Sequence, residues 1–244
     1  AAPFGFVRQL RTAFERGSSL VQQARVFRAN RLERLHERKT LPALCSGPLL
    51  AVHIIPLAGL AGRSNVDIAS LHNDNRKLMV DENAMNWRRM TTLEGLVTYP
   101  EPDEGGVENL ITIFRSGAFE TVRNAGWGDP VKTVVGELAG MHLRATLKTY
   151  IAAAESFSVN GPALVALAVS NTSGMNLKIN RATLTRDPIL EKDIDIPDVL
   201  VEDIASPSLD VDTVCRPLME ILYQAFGAPR CPHFNADGKW TGVV

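Results

Sequence analysis

The sequence predicts a mixed α/β (α+β) fold: a mixed β-sheet containing a β-hairpin, covered by helices and preceded by a connector helix. Three observations predict it. Two apolar runs, residues 49–57 and 163–170, read as strands buried on both faces. Between them, residues 108–115 and 118–123 alternate in polarity around Ser116-Gly117, the pattern of a hairpin. Helical periodicity brackets and separates these strands, and the order helix, strand, hairpin, helix, strand, helix places helices against a sheet. At 244 residues, with 45% hydrophobic and 22% charged residues, the chain can bury this core as a single domain.

Residues 8–39 carry a helical pattern, with Gly17-Ser18-Ser19 predicting a break and a serine cap for a second helix from Leu20. Leu20, Ala24, Phe27 and Leu35 fall near one stripe, while Arg25, Arg28, Arg31 and Arg34 recur every third residue on an adjacent, drifting face. Pro42 and Gly47-Pro48 then turn the chain into the strand at 49–57. The following thirty-odd residues, through Asn73-Asp74-Asn75 and Asp81-Glu82-Asn83, read as a long excursion with little regular structure. A strand at 95–99 opens the β-rich block that contains the hairpin.

Pro130 is expected to open a long helix to about residue 157. Val131, Val134, Val135, Leu138, Met141 and Ala145 line one side, and Leu143, Leu147, Ile151 and Ala154 widen it. Gly136 and Gly140 on that helix suit a close approach to the sheet. Further strands are expected near 177–179 and 199–201, and a final amphipathic helix at about 210–226 ends at Gly227. Residues 1–40 thus read as a helical connector and 41–244 as one α/β domain.

The formal net charge of −1 excludes a global field that attracts nucleic acid, so such binding needs a local patch. Arg25, Arg28, Arg31, Arg34 and Arg38 are the candidate nucleic-acid-binding residues, because guanidinium groups on one helix face grip phosphates without reading sequence. The alternative is a solvated face on which Glu33 and Glu37 offer short-range pairs. Residues 187–203 hold Glu191, Asp193, Asp195, Asp198, Glu202 and Asp203, the donor type of a magnesium-dependent phosphodiester site. No lysine at nuclease spacing follows them. Their alternation with Ile194, Ile196, Val199 and Val201 reads instead as a charged edge strand.

The five histidines, His36, His53, His72, His142 and His233, include no close-spaced ligand pair, and His53 inside an apolar strand reads as a hydrogen-bonded core or edge histidine. There is no nucleophile elbow and no glycine-rich phosphate loop. Trp87, Trp127 and Trp240 are too scattered for a base-stacking platform and read as packing residues. Cys45, Cys215 and Cys231 match neither a zinc site nor a disulfide framework, which suits a reducing cytoplasm, and no cofactor or metal is expected. The start lacks the layout of a signal peptide and no run of about 18 apolar residues occurs, so no membrane partner is expected. A start at Ala1 without Met reads as a piece of a longer protein or as a processed end.

Several blocks carry a family resemblance: Gln9-Leu10-Arg11-Thr12-Ala13-Phe14, Phe27-Arg28-Ala29-Asn30-Arg31-Leu32, Val52-His53-Ile54-Ile55-Pro56-Leu57 and Leu110-Ile111-Thr112-Ile113-Phe114-Arg115-Ser116-Gly117. Val199-Leu200-Val201-Glu202-Asp203 and Gly238-Lys239-Trp240 follow in order. Together they resemble the C-terminal region of bacterial proteins that carry a Schlafen-type AlbA nucleic-acid-binding domain. In that family the AlbA module precedes such a region, so none of its residues carries over to this sequence. A short glycine-containing turn usual before the first helix is replaced here by Phe6-Val7-Arg8.

The resemblance implies an accessory domain, non-catalytic on its own, acting in regulation or phage defence. Its partner is nucleic acid or a protein, reached through the adjacent module. Two alternatives stand beside it: part of a nuclease whose active site lies in an upstream module or in the acidic residues 187–203, and a structural dimerisation domain, a homo-oligomer formed through the long helices.

Overall fold

The structure, a computed structural model, describes residues 3–62, 65–74, 78, 80, 87–127, 132–180 and 184–242, with side chains from residue 17 onward. Its centre is β1 (Leu49–Pro56), all eight of whose residues are buried. The apolar run is explained by its place, since β1 pairs antiparallel with both β5 (Phe119–Asn124) and β8 (Ala163–Ser170). The remaining strands of this sheet are β2 (Arg88–Thr91), β3 (Gly95–Tyr99), β4 (Asn109–Phe114), β10 (Asp193–Asp195) and β11 (Val199–Val201). The order is β10-β8-β1-β5-β4-β3-β2, with β11 also on β8. The hairpin expected around Ser116-Gly117 is β4–β5, and Gly117 takes the positive φ of 83° that its turn requires.

Period-two alternation divides the sheet into two faces. Leu50, Val52 and Ile54 join the main core with α4 (Gly136–Ala153) and α5 (Val211–Ala225). Leu49, Ala51 and Ile55 belong instead to two smaller cores shared with α1 (Pro3–His36) through Ala24, Leu32 and Leu35. Full burial of each such leucine or isoleucine contributes about 1.5–3 kcal/mol. The second half of α1 is therefore a layer of the domain, opposite α4 and α5.

Several expectations change. Gly17-Ser18-Ser19 does not break the first helix, which is continuous over Pro3–His36; a lone interior glycine costs only about 1 kcal/mol. The long helix begins at Gly136, because Thr133–Val135 forms β7, antiparallel to β6 (Gly126–Trp127) and parallel to β9 (Asn176–Lys178). Pro130 and Val131 lie outside the described residues. Among the described residues the pairings of the large sheet are all antiparallel, and the β7–β9 pair in the small sheet supplies the parallel element.

The buried stripe of α4 is Ala139, His142, Leu143, Thr146, Leu147 and Tyr150, whereas Met141 is 52% exposed. The helical period was legible but its phase was not, since His142 Nε2 and Thr146 Oγ1 both bond Thr121 Oγ1, at 2.9 and 3.0 Å. The nearest neighbours of Gly136 and Gly140 are Tyr223 and Trp240 rather than the large sheet: an added Cβ would lie 2.3 Å from the Tyr223 hydroxyl and 2.0 Å from the Trp240 ring, with the Lys178 carbonyl of β9 at 3.2 Å from that of Gly136.

The segment expected to lack regular structure contains α2 (Leu57–Leu60), α3 (Ile68–Asn73) and β2, with Asp67 capping α3 through Ser70 N. Its residues 63–64, 75–77, 79 and 81–86 lie outside the described residues. Asp210 caps α5 as its side chain accepts from Asp212 N, and Gly227 follows the helix with φ of 79°. Among the described residues no helix is long and apolar enough to cross a membrane.

Candidate functional site

Cross-strand register sets a row of residues across the α1 face of the sheet. Ala166 faces His53, His53 faces Glu120, Glu120 faces Thr112, Thr112 faces Val97, and Val97 faces Met90. His53, Glu120 and Thr112 are the polar side chains of this row, and each is buried. Burying them requires partners, and α1 supplies the main one.

Arg31 reaches down from α1 and grips Glu120 with two parallel bonds, Nε to Oε2 at 3.0 Å and Nη2 to Oε1 at 2.7 Å. Its Nη1 donates to Glu94 Oε2 at 3.2 Å, and Glu94 Oε1 accepts from Arg34 Nη1 at 2.8 Å. His53 Nε2 lies 2.9 Å from Glu120 Oε2, where it donates to the carboxylate. The Arg31 guanidinium also sits 4.9 Å from the Phe114 ring centroid.

Burial pushes the Glu120 carboxyl up, but the hydrogen bonds and charges of His53 and Arg31 outweigh it and hold the group at about 2. Burial likewise opposes the Arg31 charge, and Glu120 and Glu94 overcome it, raising its pKa. A carboxylate held this low and filled with donors is a fixed charge, unsuited to general-base work, which needs a pKa near the working pH.

The other sequence-predicted site residues are also engaged by the body of the protein. Arg25 makes a two-pronged pair with Asp198, Nε to Oδ1 at 2.9 Å and Nη2 to Oδ2 at 3.1 Å. Arg28 donates through Nη2 to the carbonyls of Leu167 and Ile196, each at 3.0 Å, and pairs with Asp195. Arg38, beyond the helix with φ of 53°, donates to the carbonyls of Cys45 and Gly47, the latter at 2.7 Å.

The row is thus solvated only at its ends: Arg28 and Arg31 are 6% and 7% exposed, whereas the side chains of Arg25 and Arg34 are 54% and 47% exposed. Helical geometry explains this. Each step of three residues turns the face by about 60°, so the row sweeps about half the helix, with Arg28 and Arg31 at the sheet and Arg25 and Arg34 at its flanks.

Two carboxylates of the acidic segment pair with the first half of the arginine row. Asp195 and Asp198 take Arg28 and Arg25, Asp193 accepts from Asn171 N at 3.0 Å, and Asp203 accepts from Gly161 N at 3.1 Å. Among the described residues no group of three or more His, Cys, Asp or Glu side chains is placed to hold a metal ion. Burial pushes the Cys231 thiol up to about 12 and raises that of Cys215 as well, leaving both protonated and unreactive.

Beside the Arg31 centre a cleft of about 410 Å³ opens between the end of α1 and strands β2–β4. Arg31, Arg34 and Lys39 line one side, and Met90, Val97 and Leu110 the sheet side. Thr112 and Thr40 also line it, and the Oγ1 of each is buried without a hydrogen-bond partner. Sequence reasoning missed Glu94, Thr112 and Glu120. The sequence marks His53 as the one polar residue of β1, but Glu120 is one of several polar residues in β5, so only the register of the strands brings Glu120 and Thr112 beside His53. Comparison of the chain with protein-family models, with curated proteins and with solved structures finds no match.

Proposed function

We propose that this chain is an accessory, non-catalytic domain that carries a neighbouring nucleic-acid- or partner-binding module on α1, in line with its resemblance to the C-terminal regions of Schlafen/AlbA-like proteins. The observation that supports this reading is the use of the arginine row. The guanidinium groups of Arg25, Arg28, Arg31 and Arg34 fasten α1 to the sheet and to the 193–198 segment. A helix held in this way is a stiff arm. Core residues of α1 with described side chains begin at Leu20, and the helix continues back to Pro3, about 25 Å at 1.5 Å per residue. An arm of that length suits the fixed presentation of a second module.

On this reading nucleic acid is contacted by the neighbouring module, since Arg25, Arg28, Arg31 and Arg34 each pair with a carboxylate of the domain. The test is fluorescence anisotropy of labelled single- and double-stranded oligonucleotides at two salt concentrations. The chain alone is expected to bind neither. Binding by the chain alone that Arg25→Gln with Arg34→Gln weakens, with a salt slope lowered by about 0.7–0.9 per lost contact, overturns the reading and gives the flanking arginines a phosphate role.

A further inference from the structure

We infer that the cleft between the end of α1 and strands β2–β4 binds a small amphipathic carboxylate, whose carboxylate group takes the seat that Glu94 occupies between Arg31 and Arg34. The seat has the chemistry of its present occupant. Glu94 bridges two guanidinium groups, at 3.2 Å to Arg31 and 2.8 Å to Arg34, an arrangement that matches two planar donors to one planar acceptor. Arg31 is held in place by its pair with Glu120, so the seat persists when Glu94 leaves. The Glu94 side chain is 49% exposed and follows Thr92 in a tight turn closed by Thr92 N to Gly95 O at 2.8 Å. Rotating it into water trades one solvated carboxylate for another at the same cations.

Unspent polar groups at the same place point to a ligand. Thr112 is 3% exposed, lines the cleft, and its Oγ1 has no partner. Thr40 Oγ1 likewise lacks a partner, and Lys39, paired with Glu37 at 2.7 Å, also lines the cleft. Buried hydroxyls without partners are uncommon in native proteins and each forgoes a hydrogen bond.

The sheet side selects among anions. Met90, Val97 and Leu110 give it an apolar surface, and Leu93 and Leu41 at the rim are 91% and 76% exposed. An inorganic anion satisfies the arginines and leaves this surface wet; a neutral apolar molecule covers the surface and leaves the arginines to Glu94. A carboxylate with a short aliphatic body uses both, and about 410 Å³ accommodates one.

The experiment follows the methyl group of Met90 by NMR in the full chain labelled with 13C at its methionine methyls, titrated with hexanoate, hexanol and inorganic phosphate. The other methionine methyls report whether each variant is folded. Hexanoate is expected to shift Met90 saturably, with hexanol and phosphate at least about tenfold weaker. Glu94→Gln, which weakens the internal competitor, is expected to tighten hexanoate about threefold. Arg34→Gln is expected to weaken it about tenfold, and Thr112→Val, which keeps the shape and removes the hydroxyl, about threefold to fivefold. Absence of a saturable Met90 shift in both the wild type and Glu94→Gln overturns the proposal. So does hexanoate affinity that neither Glu94→Gln nor Arg34→Gln changes, or phosphate binding as tight as hexanoate.

Discussion

Glu120 is a carboxylate without access to water, kept ionised by Arg31 and His53. Its value falls from 4.5 to about 2, so its stabilisation is fully present above pH 4.5 and is lost as the pH falls through 2. The contribution is on the order of 3 kcal/mol. His142 acts in the same direction through a different cause. Burial, and then the charge of Arg123, lowers it from 6.5 to about 3, so protonation favours the unfolded chain and stability falls as the pH drops below 6.5. Urea midpoints of the wild type should therefore begin to fall below about pH 6.5, and those of His142→Asn should stay level down to about pH 4.5. Equal slopes for both proteins between pH 6.5 and 4.5 would remove His142 from the account. The histidine in an apolar strand was legible as a hydrogen-bonded residue, but its partner was not, because Glu120 lies 67 positions away and only the register of β1 on β5 brings them together.

Elements whose signal is local were legible. The strands at 49–56 and 163–170 and the hairpin follow from apolar runs, alternation and a glycine turn, all contained within the segment. The start and phase of α4 were not, because both are set from outside: β7 is drawn into a strand by β9, some forty residues further on, and Thr121 fixes which side of the helix faces the sheet. The same helix is shaped by the end of the chain. The Trp240 ring occupies the space above Gly140, where a Cβ would meet it at 2.0 Å. Trp240 also stacks with His233 at 5.1 Å and receives Arg144 at 5.5 Å, while its backbone N–H donates to Asp212. Gly140→Ala must displace the ring, and is expected to cost about 1–3 kcal/mol. Hydrogen exchange should show lost protection in residues 231–242 while β1 and β8 keep theirs. Unchanged exchange in that segment would show that the ring yields without releasing the tail.

At the scale of the whole molecule, fold class was legible because helix and strand periods alternate along the chain, whereas the assembly of the faces was not, because charge complementarity acts over long separations. The arginine row and the acidic segment each look like a surface feature until β8 and β10 bring them together. Their weights should differ with burial. Arg28→Met removes a buried guanidinium from two carbonyls and Asp195 and is expected to lose about 2 kcal/mol or more in urea unfolding. Arg25→Met removes a pair whose arginine side chain is 54% exposed and should shift the midpoint little. Comparable losses for the two variants would show that burial does not set the strength of the fastening. The long reach of these bonds also imposes an order on biosynthesis. Arg25 meets Asp198 across 173 residues and Arg28 meets Ile196 across 168, so a ribosome releases the helix early and its clasp late. Until the clasp emerges, α1 is held on the nascent sheet by its apolar contacts and by Arg31 alone among the buried arginine–carboxylate pairs. A chain terminated before residue 195 therefore holds α1 through Arg31, Glu120 and its apolar stripe but leaves Arg25 and one side of Arg28 unclasped until translation has passed β10.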